Sequence, residues 1–220
     1  MEEFLPLKDT GNLKDHRKAS EEFNWASMDR EFDWSRGGAY NVAAEAVDRH
    51  AHGERRDKVA LCSVRADGST KRMTFGELSE QSSKFADGLV KLGAEKGDRI
   101  FIFLDRTSEL FISLVGIAKM GGIAGPLFSA LGPEAVRDRA TDSKPSIIIT
   151  SPYLYKRIEP IVRSLVDVKH FIIVGSTEGL GDRALSFNDI LNWGDGGFKA
   201  VPMDPSDPYI IHYTSGSTGK

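Results

Sequence analysis

The sequence predicts an α/β fold, a mainly parallel sheet covered by helices, preceded by an extended aromatic arm. Three observations carry this. From Arg99 onward, short apolar runs alternate with helical stretches and little lies between them; that alternation is how a parallel sheet with helix-covered faces is written in sequence. Residues 1–38 are instead polar and studded with Phe23, Trp25, Phe32 and Trp34, rings whose large apolar area suits them to anchoring an arm. Third, 220 residues at 40% hydrophobic content suffice for one or two domains with a core. The division expected is an arm at 1–38 and a body at 39–220.

Taken in order, the body opens at Asn41 with a helical pattern: Val42, Ala43, Ala46 and Val47 on one face, Glu45, Asp48 and Arg49 opposite. His50 and His52 close it. They have no third metal ligand near them in sequence, and a helix carboxyl end suits histidine. Val59–Val64 reads as a strand, Ala66-Asp67-Gly68-Ser69 as a turn and Lys71–Met73 as the returning strand, with Asp-Gly as the hairpin signal. Thr74 is placed as an N-cap, and Glu77 completes a capping box. The helix it opens turns Leu78, Phe85, Leu89 and Leu92 inward and stops at Gly93. Strands follow at Arg99–Leu104, Ile123–Phe128, Ser146–Thr150 and His170–Val174. Between them lie helices at Ser108–Met120, from Pro133 (a favoured first-turn position) and over 153–166. A surface connection, Gly194 to Pro208, is rich in Gly, Asp and Pro. It leads to a short strand, Tyr209–Tyr213.

Bulk properties exclude several functions. A formal net charge of −3 gives no electrostatic support for nucleic-acid binding, and Arg55-Arg56 and Lys71-Arg72 read as solvated surface. Cys62 is the single cysteine; it cannot form an internal disulfide, and its apolar neighbours suggest packing. The acidic start lacks the form of a signal peptide, so the cytoplasm is the expected location. Leu110 to Phe128 imitates a membrane span, but Lys119 would cost roughly 2.5–3.5 kcal/mol in a bilayer. Gly121-Gly122 also splits the stretch into a helix and a strand, and no membrane association is expected.

The chemistry sits at the end. A strand feeding Thr214-Ser215-Gly216-Ser217-Thr218-Gly219-Lys220 can build a polyphosphate cradle. Glycine adopts the dihedrals that turn successive N–H groups to one side, and hydroxyls add donors. On composition alone such a run is more often a flexible loop. The Walker pattern is excluded because Thr214 stands where its first glycine is required.

Tyr213-Thr214-Ser215-Gly216-Ser217-Thr218-Gly219 resembles the signature loop of the adenylate-forming (AMP-binding) superfamily of acyl-CoA synthetases, luciferases and adenylation domains. Met73-Thr74-Phe75-Gly76-Glu77-Leu78 and Ala118-Lys119-Met120-Gly121-Gly122-Ile123-Ala124-Gly125-Pro126-Leu127 resemble two further segments in the expected order. Within the superfamily the likeness is to acetyl-CoA synthetases. It is seen in Phe32-Asp33-Trp34, Asn41-Val42-Ala43, Asp48-Arg49-His50-Ala51, Gly97 to Phe103, Gly125 to Phe128 and His212-Tyr213.

The resemblance implies part of the large amino-terminal domain of an ATP-dependent acid–CoA ligase. Acetate and ATP would give acetyl-adenylate and pyrophosphate, and CoA would then take the acyl group and release AMP. Thr214, Ser215, Gly216, Ser217, Thr218 and Gly219 would hold the β- and γ-phosphates, with Mg²⁺ easing departure of pyrophosphate. Lys156 and Arg157 would meet CoA phosphates, or simply be exposed helix charges. Lys220 falls at the loop's variable position and is not catalytic; neither a catalytic residue nor a metal ligand is assigned. Another acid (propionate, medium-chain or aryl) and a non-enzymatic remnant are the alternatives. With the acyl pocket, hinge and small domain of the family lacking, these residues alone are expected to be inactive. They are also expected to be marginally stable, with an unpaired sheet edge.

Overall fold

A computed structural model describes residues 15–26, 30, 32, 40–64 and 67–214, and the chain divides into two compact units, Met1–Gly38 and Ala39–Lys220. In the first unit the described residues include helix α1 (His16–Glu22), where only extended chain was expected. Asp15 caps it, its carboxylate accepting from the Lys18 N–H at 3.0 Å. Phe23 and Trp25 meet edge to face at 5.1 Å and remain exposed. Trp34 lies outside the described residues.

The second unit begins with a π-helical turn, Ala44–Asp48, running into α2 (Arg49–Ala51). The wider turn overturns the expected face: Glu45 and Val47 are buried and Ala46 is exposed, because a π turn advances the chain by a different angle per residue than the 3.6-residue period assumes. Just ahead, the buried side chain of Asn41 donates to the carbonyls of Ala118 (2.9 Å) and Val201 (3.0 Å) and accepts from the Ala43 N–H.

Strands β1 (Val59–Val64) and β2 (Thr70–Thr74) form the expected antiparallel hairpin, with Gly68 at φ 80°; Ala66 lies outside the described residues. Cys62 is exposed, not packed as its neighbours suggested, because a two-stranded sheet leaves one face to solvent. Helix α3 (Phe75–Lys91) carries the capping box as read: the Glu77 N–H donates to Thr74 Oγ1 at 3.2 Å and the Thr74 N–H to Glu77 Oε2 at 2.7 Å. Leu78, Phe85 and Leu89 are buried.

There follow β3 (Arg99–Phe103), α4 (Ser108–Lys119), β4 (Ile123–Leu127), α5 (Pro133–Ser143), β5 (Ile147–Thr150), α6 (Pro152–Val162), β6 (His170–Ile173), β7 (Ala184–Ser186) and α7 (Phe187–Trp193). The strands form one five-stranded sheet in the order β4-β3-β5-β6-β7, every neighbouring pair parallel. Alternating side chains feed two cores, as period-2 strands must. Ile100, Ile102, Ile147, Ile149 and Ile172 pack with α3, α4 and α7 on one face. Phe101, Phe103, Ile148, Phe171 and Ile173 pack with α5 and α6 on the other.

Three differences from the sequence reading have physical causes. Helix α6 stops at Val162, short of 166, because the Arg183 guanidinium takes the carbonyls of Val162 (2.6 Å), Leu165 (3.2 Å) and Val168 (2.7 Å). β7 and α7 were not anticipated; they are too short to show a period. Tyr209–Tyr213, expected as a strand, reaches the sheet only through a parallel bridge, Ile210 to Ala124. There the Ala124 N–H donates to Tyr209 O (2.9 Å) and the Ile211 N–H to Ala124 O (2.8 Å). The next donor on that side of β4 would come from residue 126, which is proline and has no N–H. The ladder therefore stops, and β4 is an edge strand, where proline is tolerated.

Among the described residues no helix is long and apolar enough to cross a membrane.

Candidate functional site

Connections in the parallel sheet decide where a ligand can approach. β3 passes to β4 through α4 on one face, and β4 passes to β5 through α5 on the other. β3 and β5 lie side by side, so the carboxyl ends of this pair form a topological switch point, the place where open α/β sheets bind ligands. Thr150, the last residue of β5, is fully buried there, and its hydroxyl has no partner among the described residues. Ser151 then caps α6, accepting from the Leu154 N–H at 3.3 Å.

The residues singled out in sequence relate to this edge as follows. The bridge at Ile210 runs parallel to β4, so the chain heads for the carboxyl edge as it reaches Thr214, which is exposed. Ser215, Gly216, Ser217, Thr218, Gly219 and Lys220 lie outside the described residues. Lys156 is exposed on α6. Arg157, its neighbour, is engaged within the fold: its guanidinium donates to the carbonyls of Ser129 (2.6 Å), Ala130 (3.2 Å) and Leu131 (3.0 Å). It thus ties α6 to the segment that leaves β4. Replacing it by Met should free that segment and lower stability by about 1–2 kcal/mol, seen as a lower urea midpoint; an unchanged midpoint would show that water replaces the guanidinium without loss.

Sequence reasoning missed one polar cluster. Lys119, fully buried, places its ammonium 2.6 Å from Asp48 Oδ1, 2.9 Å from Ser79 O and 2.8 Å from Ser83 Oγ. Burial pushes its pKa down, and the Asp48 carboxylate counters this. The ammonium itself is buried while Asp48 and Ser79 keep partial exposure; the cluster ties the Ala44–Asp48 turn to α3 and α4. Only the lysine's position in an apolar stretch could have signalled it.

Among the described residues no group of three His, Cys, Asp or Glu could hold a metal. His50 instead packs against the Phe75 ring at 5.0 Å. A concavity of about 320 Å³ between the hairpin and α3, α4 and α7 carries mixed charge, Lys71 and Arg72 with Glu77 and Glu109, and favours neither sign of ligand.

Comparison with known proteins bears on the fold and the family. The chain is 38% identical over 209 residues to the acetyl-coenzyme A synthetase of Bacillus subtilis, covering 94% of this chain and 36% of that protein. It is 31% identical over 209 residues to the 3-hydroxypropionyl-coenzyme A synthetase of Metallosphaera sedula, covering 85% and 30%. It therefore spans about a third of the length of these curated relatives. In fold it is similar to a Brucella canis acyl-CoA synthetase, with a TM-score of 0.79 at 24% identity over 92% of this chain and 36% of that one. A solved anthranilate CoA ligase in complex with anthranoyl-AMP gives a TM-score of 0.71 at 25% identity, over 82% and 32%. The family profile described as AMP-binding enzyme matches residues 47–220, nearly the whole body from the π turn through the Ser/Gly/Thr run, and the chain belongs to that family.

Proposed function

We propose that this chain works as part of an AMP-forming acid–CoA ligase, with acetate as its acid. The observation that carries the reading is the family match over residues 47–220, which takes in the loop; the parallel approach of Tyr209–Ile211 along β4 supports it. In this reading residues 39–220 are part of the adenylation domain and 1–38 an arm ahead of it.

The reaction runs in two halves. A carboxylate oxygen attacks the α-phosphorus of ATP and pyrophosphate leaves; the CoA thiolate then attacks the acyl carbonyl and AMP leaves. In the first half Thr214, Ser215, Gly216, Ser217, Thr218 and Gly219 hold the β- and γ-phosphates, their N–H and hydroxyl groups donating to oxygens that gain charge as the bond breaks. Donors that meet charge developing in the transition state raise the rate as well as the affinity. Lys156, exposed on α6, is the better placed of the two CoA candidates. Arg157 would have to serve CoA phosphates while still holding 129–131. Mg²⁺ would arrive on the ATP phosphates and ease the departure of pyrophosphate. The cytoplasm belongs to the same proposal, as the compartment where ATP and CoA are at hand.

A second acid has a specific observation behind it, since 3-hydroxypropionyl-coenzyme A synthetases match at 30–31% identity, the same as several acetyl-coenzyme A synthetases. The test is ATP–pyrophosphate exchange by the protein expressed from its complete reading frame, offered acetate, propionate, 3-hydroxypropionate and benzoate in turn. Exchange dependent on acetate is expected, and Thr218→Ala should reduce it about ten- to a hundred-fold. Exchange with none of the four acids would sink the ligase reading; a preference for another acid would replace acetate.

A further inference from the structure

The residue ahead of the Ser/Gly/Thr run is held unusually well for a segment that joins the sheet by one bridge. The Tyr213 hydroxyl donates to Asp142 Oδ2 at 2.7 Å and lies 3.2 Å from Arg139 O, both on the last turns of α5. The Arg139 guanidinium stands over the Tyr213 ring, 5.4 Å from its centre, and is itself fixed by a 2.8 Å bond to Ala135 O. The ring also meets Phe101 in a T-shaped contact, with centroids 6.5 Å apart. Phe101 lies across Gly125, where a Cβ would come within 2.3 Å of its ring. One chain of contacts thus runs from β4 and β3 through two aromatic rings to α5. Burial raises the pKa of the phenol, so the hydroxyl stays a donor at neutral pH. The proline that stops the β4 ladder removes the ordinary way of fixing this segment, and the side chain of Tyr213 supplies another.

We infer that Tyr213 is a positioning residue for the phosphate loop, clamped by Arg139 and Asp142 of α5 so that Thr214 leaves the sheet at a fixed place. The inference rests on the ligase reading. A loop whose donors must meet charge developing on pyrophosphate works only if its base does not wander, because small misplacements of donors are felt in the transition state. The acid and CoA do not contact this loop in the proposed mechanism, so the clamp should act on the nucleotide alone.

The experiment is ATP–pyrophosphate exchange by the protein from its complete reading frame, with KM measured separately for ATP and for the acid. Tyr213→Phe and Asp142→Ala are each expected to raise the KM for ATP about five- to ten-fold, with kcat falling alongside, and to leave the KM for the acid unchanged. Asp142→Asn, which keeps an acceptor in place, should recover most of the loss. Thermal unfolding midpoints within a degree or two of the unsubstituted protein would separate positioning from folding. Equal rises in both KM values, or no change in either variant, would overturn the clamp. Absence of exchange in the unsubstituted protein would instead overturn the ligase reading, and the clamp's role with it.

Discussion

Asp48→Ala is expected to destabilise the folded chain by about 3–5 kcal/mol, because it leaves a buried ammonium without its counter-charge. Lys119 has no exposed surface, and Asp48 is its nearest oxygen at 2.6 Å. The carbonyl and hydroxyl of Ser79 and the hydroxyl of Ser83 would remain, three dipoles in place of a charge. The pair itself need not stabilise the fold, since the desolvation of two ions offsets most of their attraction. Asp48→Ala with Lys119→Met should therefore be far less damaging than Asp48→Ala alone. Urea midpoints of the three variants decide this; a loss below about 1 kcal/mol in the single variant would mean that solvent reaches the ammonium.

The same pair sets a pH dependence whose sign follows from burial. Lys119 has a lower pKa folded than unfolded. At a pH below both values the lysine is charged in each state and the burial penalty applies in full. Between the folded value and the unfolded value near about 10.4, the unfolded chain binds more protons, so stability rises with pH. That rise should vanish in Lys119→Met and start at a lower pH in Asp48→Ala, where the countering carboxylate is gone.

Gly88→Ala should lower stability by about 2–3 kcal/mol, although intrinsic preference argues the reverse. Glycine inside a helix is about 0.8–1.0 kcal/mol worse than alanine, and Gly88 lies well within α3. A Cβ there, however, would stand 2.2 Å from Ile190 O and 2.7 Å from Ile190 Cγ2, on α7. Backbone cannot rotate aside as a side chain can, so α7 must lift. Lifting opens the stacked pair Phe85–Phe187, whose ring centres are 4.7 Å apart. Gly194→Ala probes the other end of the seam, where a Cβ would meet Lys84 O at 1.8 Å. A gain in the thermal midpoint of Gly88→Ala would show that α7 moves away at little cost, and that α3 obeys helix preference alone.

Most of the fold was legible because its signals are local. The capping box of Thr74 and Glu77 needs only its own turn, and Asp67-Gly68 makes the hairpin wherever it stands. The apolar runs of β3, β5 and β6 have one comfortable place, inside a parallel sheet. The candidate site was legible in another way: the Ser/Gly/Thr run has a composition suited to phosphate, and its resemblance supplied the chemistry. What surrounds it was not legible. Nothing in the neighbours of Tyr213 names Asp142, and nothing in Arg157 says that it will be spent on carbonyls 26 to 28 positions earlier.

By itself, then, the sequence determined the order of the elements from the hairpin through β6, the parallel character of the sheet and the family, because each depends on periodicity or on contiguous residues. Tertiary structure alone decided that Glu45 faces inward and Ala46 out, that Lys119 is a buried partner of Asp48, that Arg183 ends α6 and that Pro126 reduces an expected strand to one bridge. Each of these is a contact or a missing donor between segments distant in the chain, or a helical turn of altered pitch. No local pattern of residue types encodes which distant group will arrive to meet a charge, a carbonyl or an open edge.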